Sequence, residues 1–203
     1  VICEIMNDDG TMARLPELVA FAQFHNLKIG AIDELIAYRR VHERLVEKVI
    51  EAPFEVKGGR DFRVVVFRNK VDGIEHAALV KGEIKADAPT LVRVHRVDFA
   101  ADVMGGYGFR AGRVDRAVAA IEKEGAGVIV LLRDMLPDVL SRRLKGEPAE
   151  REEDDGLRVI GLGSQILREL GVGRMTVLSN APQKLIALDG YGLSIDGWRE
   201  FKT

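Results

Sequence analysis

Cysteine is nearly absent from this chain: Cys3 is the only one in 203 residues. A single thiol excludes an intrachain disulfide, and any structural zinc would have to rely on imidazoles and carboxylates. The four histidines, His25, His42, His76 and His95, show no HExxH pattern and no other paired ligand spacing. Composition therefore argues against a metal site. A dominant charge is missing too, since 30 Lys and Arg face 32 Asp and Glu for a net charge of −2. No global field draws the chain to nucleic acid or to an anionic membrane. Apolar runs are short, and none approaches the roughly 18 residues that span a bilayer. The first ten residues, VICEIMNDDG, lack the basic start of a signal peptide. The expectation is a cytoplasmic protein with neither nucleic acid nor membrane as partner. What is present, 47% apolar and 31% charged residues, suits a globular chain with one good core and room for a fragment of another domain.

The chain begins on an apolar triplet without methionine, the pattern of a fragment. Residues 2–6 read as a buried strand and Asn7-Asp8-Asp9-Gly10 as a turn. Pro16 suits the first turn of a helix running to Phe24, followed by a short strand over 27–29 and a helix over 32–38. Residues 41–52, VHERLVEKVIEA, fit neither period well and read as a linker followed by a strand. Between 54 and 97 the runs FRVVVF, AALV and TLVRV predict antiparallel strands with tight connections. Residues 113–124 form the clearest helix, with Val114, Ala117, Val118 and Ile121 at helical spacing and Gly125 closing it. GVIVLL at 127–132 is an apolar strand. The stretch 142–158, RRLKGEPAEREEDDGLR, is so charged that it predicts a mobile surface loop. A helix over 164–170 ending at Gly171, a strand over 175–178, a helix from Pro182 to Leu188, a DGYG turn and a strand near 193–195 complete the pattern. Strands alternating with helices predict a layered α/β domain.

Several landmarks occur in order along residues 41–203: RNKVDGIEHAALVKGEI, the RVH run at 93–95, GAGVIVLLRD, IGLGSQILRELGV and SNAPQKLIALDGYGL. Together they resemble the GTP cyclohydrolase II family. Residues 1–40, VICEIMNDDGTMARLPELVAFAQFHNLKIGAIDELIAYRR, resemble the carboxy-terminal end of 3,4-dihydroxy-2-butanone 4-phosphate synthase. The order is that of the bifunctional riboflavin-pathway proteins that fuse the two. The resemblance implies a synthase fragment at 1–40 and a cyclohydrolase-type domain at 41–203. The latter is expected to be a layered mixed β-sheet α/β domain with antiparallel hairpins in its first half, preceded by a fragment of an α/β synthase domain. A homodimer is implied as well.

The family's zinc segment follows its arginine-valine-histidine run, and here that segment reads RVHRVDFAADVMGGYGFRAG, residues 93–112. Registering Asp102-Val103 and Gly112 on the pattern puts Asp98, Phe109 and Ala111 at the three thiolate positions. Zinc takes thiolate, imidazole or carboxylate ligands, and a phenyl ring and a methyl group offer none. No metal and no cofactor is therefore expected, magnesium belonging only to the missing part of the synthase. The guanine-reading segment of the family reads Met135-Leu136-Pro137, and its glutamine just beyond the zinc pattern is Val114. Leaving purine donors unpaired in this way costs about 1–3 kcal/mol. The catalytic aspartate and arginine positions fall on Gly156 and Arg158, and an arginine alone supplies no hydrolytic nucleophile. The favoured reading of Arg158 is a surface charge.

The resemblance carries GTP or phosphate binding to Arg93, His95, Ser179 and Lys184. An arginine fork suits phosphate, and a strand followed by a helix start presents backbone N–H groups to an anion. The blander alternative makes Val92 and Val94 core residues with Arg93 on a solvated face, and the 179–184 turn an ordinary α/β connection. From the synthase only Glu4 matches a catalytic position, and a solvent-facing strand glutamate is its structural alternative. The expected function is a cyclohydrolase-type domain without zinc or cyclohydrolase activity that supports a fused synthase structurally or by regulation. Two alternatives stay open. One is a GTP cyclohydrolase II with an altered metal site starting from His95 and Asp98, and the other is an unrelated α/β binding domain.

Overall fold

The structure, a computed structural model, describes residues 3–31, 34–35, 38–39, 43–105, 112–133, 138–145, 153–180 and 188–200. The chain divides into two units, Val1–His42 and Glu43–Thr203. In the first, α1 (Leu15–Phe24) starts where the Arg14 amide donates to Glu17 Oε2 at 2.9 Å, with Pro16 in the first turn where its missing N–H costs nothing. Its sequence is apolar on nearly every side, yet only Ala22 is buried, and Phe24 is 85% exposed. Residues 34, 35, 38 and 39 are helical.

Among the described residues neither strand expected in this unit is present. Residues 3–6 form only the bridge Met6↔Met12 around the Asn7–Gly10 turn, and Met6 is exposed. A strand persists only when a neighbouring ladder takes its amides. The Leu27 amide instead donates to Ala22 O at 2.8 Å, closing α1, and Leu27 and Ile29 are exposed in irregular backbone.

In the second unit the described residues form one seven-stranded mixed sheet: β1 (Val46–Val56), β2 (Gly59–Asn69), β3 (Glu75–Lys81), β4 (Pro89–Arg96), β5 (Gly127–Leu132), β6 (Arg174–Leu178) and β7 (Ser194–Arg199). The order is β1-β2-β3-β5-β4-β6-β7. The first four strands in that order pair antiparallel, and from β5 onward the pairs are parallel. The expected antiparallel arrangement is found for β1 to β3 but not for β4. That strand lies between β5 and β6, parallel to both, because β5 inserts itself beside β3. The connection from β3 to β4, residues 82–88, is too long for a tight hairpin. Leu91 and Val92 are buried on opposite faces of β4, as a central parallel strand requires.

Side chains alternate across the sheet. Phe62, Leu79, Leu91, Ile129 and Leu178 face α2 (Arg113–Glu124) and pack on its Ala117, Val118 and Ile121. The alternate set, including Val65, Val80, Val92 and Val130, is fully buried on the opposite face, where α4 (Glu153–Glu169) lies. At Gly163 a Cβ would come within 3.2 Å of Val94 Cγ1, so this glycine lets α4 approach the sheet closely. The result is helix, sheet and helix in three layers.

α2 occupies the predicted residues and ends at Gly125 with φ 87°. The charged stretch does not behave as one loop. α3 (Val139–Leu144) follows an Asp138–Arg142 ion pair of 2.7 Å, and α4 begins at Glu153, well before the expected residue 164. β7 runs beyond the expected strand to Arg199, whose guanidinium meets Glu124 Oε2 at 2.6 Å. The helix expected from Pro182 lies outside the described residues. Among the described residues, no helix is long and apolar enough to cross a membrane.

Candidate functional site

The chain leaves β4 through α2 to reach β5 on one side, then crosses by α4 to β6 on the other. In open α/β sheets ligands bind at the carboxyl ends of strands where such connections part. Arg93 and His95 lie on the last turns of β4 and share the α2-facing side with Leu91. Arg93 is half-buried there, not on a solvated face, and its Nη1 donates to Leu178 O at the end of β6 at 3.1 Å. Burial first, and the nearby Arg113 charge second, lower its pKa to about 10, with Asp102 partly opposing them.

His95 is 4% exposed, and its Nε2 lies 2.7 Å from Asp102 Oδ2. Burial holds its pKa below the ordinary value despite the bond to Asp102, and Arg93 and Arg113 push the same way. The neutral ring therefore donates its Nε2–H to the carboxylate. Asp102 sits on a π-helical turn, Phe99–Val103, capped by Asp98. The Asp98 amide donates to the same Asp102 Oδ2 at 2.7 Å, the Asp102 amide to Asp98 O at 2.7 Å, and the Ala101 amide to Asp98 Oδ1 at 3.3 Å. Single π turns recur at functional sites. Asp102 entered the sequence reading only as an alignment anchor. Its partnership with a histidine seven residues away follows no helix or strand period.

Asp98, at the first thiolate position, is thus occupied in capping that turn. Among the described residues no three His, Cys, Asp or Glu side chains gather to hold a metal ion. Phe109, Ala111 and residues 135–137 lie outside the described residues. Val114 packs against the α2 core. Gly156 and Arg158 belong to the first half of α4, not to a loop. Ser179 follows β6 beside Leu178, which brings it to the same end of the sheet as Arg93. Its amide donates to Arg199 O at 2.9 Å, joining it to the end of β7, and the rest of the 179–184 turn from residue 181 lies outside the described residues. Lys184 lies outside the described residues. Glu4 is exposed on irregular backbone in the first unit.

Two further buried side chains have partners that no sequence pattern indicates. His76, 1% exposed at the start of β3, accepts the Arg133 amide on Nδ1 at 3.1 Å, just beyond β5. Gln165 of α4, 7% exposed, donates from Nε2 to Glu43 O at 2.9 Å and accepts the Leu45 amide on Oε1 at 2.8 Å. Only the fold brings these partners together.

A family model described as GTP cyclohydrolase II matches residues 47–200. The chain belongs to the GTP cyclohydrolase II family. Ahead of that GTP cyclohydrolase II match, residues 1–38 match the model for 3,4-dihydroxy-2-butanone 4-phosphate synthase. Similar proteins include a 3,4-dihydroxy-2-butanone 4-phosphate synthase of Pseudomonas aeruginosa, 42% identical over 205 residues, covering 96% of this chain and 54% of that protein. The Riboflavin biosynthesis protein RibBA of Aquifex aeolicus is 42% identical over 215 residues, covering 96% and 52%. A Monofunctional riboflavin biosynthesis protein RIBA 2, chloroplastic, of Arabidopsis thaliana is 43% identical over 209 residues, covering 97% and 43%. The chain spans about half the length of these curated relatives. Among solved structures it is similar to RibBX of A. baumannii, titled a two domain 3,4-dihydroxy-2-butanone 4-phosphate synthase. The TM-score is 0.65 and the identity 34%, over 97% of this chain and 53% of that one. The mixed sheet is accordingly a GTP cyclohydrolase II-type fold preceded by a synthase fragment.

Proposed function

We propose that the second unit is a non-catalytic, cyclohydrolase-derived module of a cytoplasmic riboflavin-pathway protein, which supports a fused 3,4-dihydroxy-2-butanone 4-phosphate synthase by structure or regulation, as a homodimer. The observation that carries this reading is the donor set at the three thiolate positions. Asp98 caps a π turn through Oδ1, which accepts the Ala101 amide, while Phe109 and Ala111 have no donor atom. These groups do not fit a zinc ion, which needs several deprotonated ligands converging on one point. No step of this reading runs through a metal.

The base-reading and catalytic positions favour the same view, as Met135-Leu136-Pro137 and Gly156 replace the family's polar groups. A further support is that the Pseudomonas aeruginosa relative, which matches 96% of this chain, is named for the synthase alone. What the module's own residues can still do is hold an anion. Arg93 keeps a charge at the carboxyl ends of β4 and β6, and Ser179 and Lys184 keep a hydroxyl and an ammonium.

Zinc analysis of the purified protein with a GTP turnover assay tests the loss of catalysis. Metal below stoichiometry and no release of formate or pyrophosphate are expected. Stoichiometric zinc with turnover would overturn the reading. Calorimetric titration with pyrophosphate tests the anion site, and binding is expected to weaken in Lys184→Ala and Arg93→Ala; absence of heat removes the site.

A further inference from the structure

The amino end of α2 carries an inference that rests on the anion-holding role proposed above and gives that site further residues and a ligand class. We infer that Arg113, together with Arg93 and Arg116, binds a phosphate dianion at the carboxyl ends of β4 and β6. Neither Arg113 nor Arg116 is among the positions to which the family resemblance gives a role. All three arginines belong to the second unit and to its described residues.

The fold brings them to one end of one layer. β4 and β5 are parallel and α2 connects them, so α2 runs back along the sheet and its first turn lies at the carboxyl ends of the strands. Ala117, Val118 and Ile121 of α2 share a cluster with Leu91 and Leu178, which fixes the helix over β4 and β6. Arg93 follows Leu91 by two residues on the same face, and its Nη1 is tied to Leu178 O at 3.1 Å. Arg113 is the first residue of α2 and, like Arg93, is half-buried. Arg116, also half-buried, folds back towards the start of the helix, with its Nη1 3.4 Å from where a Cβ on Gly112 would stand.

The electrostatics of this end say what it holds. A helix is stabilised by anions at its amino end and weakened by cations there, yet α2 opens with Arg113 and reaches Arg116 within a turn, and its N-cap Gly112 has no side chain with which to cap the first amides. The carboxylate of that turn, Asp115, is 3.4 Å from Lys57. On the strand side Asp102 already accepts from His95 and from the Asp98 amide. Beyond burial, the main cause, the charge of Arg113 lowers the proton affinity of both Arg93 and His95. Half-buried positive groups held near one another are stabilised by an anion placed among them. A planar carboxylate presents two oxygens in one plane, whereas a tetrahedral dianion presents oxygens to guanidinium forks arriving from a strand end and from a helix start.

Inorganic phosphate titrated calorimetrically into the purified chain at low ionic strength, where screening is weak, tests this, with acetate as the carboxylate comparison and the arginine Nε–H signals followed by NMR. Phosphate is expected to bind in preference to acetate and to shift the Arg93 and Arg113 signals together and saturably. Arg113→Gln should lower the affinity about tenfold or more, the loss of roughly one charge-assisted hydrogen bond. Arg116→Gln should lower it less, and Arg113→Lys, which keeps the charge, should recover part of the loss. Native affinity in Arg113→Gln, or Arg93 and Arg113 signals unmoved at saturation, overturns the inference and leaves the anion-holding reading to Ser179 and Lys184. Acetate bound as tightly as phosphate overturns the ligand class. Neither heat nor signal shift in the native chain, with phosphate or with pyrophosphate, overturns the inference together with the anion site on which it rests. Should Arg113→Gln not fold, the arginine signals of the native chain decide alone.

Discussion

Removing the carboxylate of Asp102 is the sharpest test of the site's architecture. Asp102 Oδ2 accepts two hydrogen bonds of 2.7 Å, from His95 Nε2–H and from the Asp98 amide, in a place where the two side chains are 5% and 10% exposed. Asp102→Ala strands both donors away from water, at about 1–3 kcal/mol each, so a total of about 2–6 kcal/mol is expected. For a unit of this size each kcal/mol lowers the thermal midpoint by about 2–4 °C. Asp102→Asn can place its one amide oxygen where Oδ2 accepts both bonds, so it should lose less than Asp102→Ala. The variant also changes the histidine. In the native protein burial holds the His95 pKa below its ordinary 6.5 while Asp102 pulls the other way. Without Asp102 the remaining influences, burial and the charges of Arg93 and Arg113, all lower it further. Because the folded value lies below the unfolded one, the unfolded state binds more protons between the two. The His95 contribution to stability is complete above about pH 6.5 and is lost as pH falls through the folded value. Urea unfolding from pH 5 to 8, with the imidazole followed by NMR, measures both effects. A loss below about 1 kcal/mol in Asp102→Ala, or a His95 pKa that rises in it, would refute this account of the dyad.

Three further outcomes are expected. Prolonged chelation of the purified protein should leave its thermal midpoint unchanged in calorimetry, whereas a structural zinc site would lose stability outright. The triple variant Asp98→Cys, Phe109→Cys, Ala111→Cys should take up zinc in a colorimetric assay where the native chain does not, and failure to do so would show that the segment's backbone has also departed from a ligand arrangement. Two chemically identical changes should diverge. Gly127→Ala places a Cβ 2.7 Å from Leu91 O and 2.8 Å from Ile121 Cγ1, an overpacking that costs about 1–3 kcal/mol. Gly163→Ala meets only side-chain atoms, the nearest Val94 Cγ1 at 3.2 Å, so the small shift Val94 must make is offset by about 1 kcal/mol of helix propensity. Denaturant titration should rank Gly127→Ala well below Gly163→Ala in stability, and the reverse order would contradict the packing described.

Much of the architecture was legible in local pattern. α2 showed its period, with Ala117, Val118 and Ile121 buried as the spacing required, and GVIVLL at β5 is as central as its lack of polar residues implied. Partner choice was not legible. Nothing in TLVRV or AALV reports that a strand made later will separate them, and adjacency in sequence suggested a pair that the sheet does not contain. Charge misled for a physical reason. A charged sequence is compatible with a solvated helix as well as with a loop, and residues 153–158 belong to α4. In the first unit, residues 2–6 read as a buried strand and 27–29 as a short strand, but Met6 makes only an isolated bridge and the Leu27 amide closes α1. For the candidate site, the resemblance pointed to Arg93 and His95, while the pairing of Asp102 with His95, seven residues away, and of Gln165 with Leu45, 120 residues away, follows no local period.

The insertion of β5 between β3 and β4 also orders events on the ribosome. β1, β2 and β3 are neighbours along the chain and can pair as soon as Lys81 has emerged, which is fast because their contacts are local. The outer edge of β3, with Ala78 and Val80 fully buried in the finished protein, then waits uncovered until Leu132 has been synthesised. During that interval the nascent chain displays an apolar sheet with an unpaired rim, the kind of surface that recruits chaperones or joins a neighbouring copy. The same six residues that unite the two halves of the sheet therefore mark when translation becomes safe for this chain.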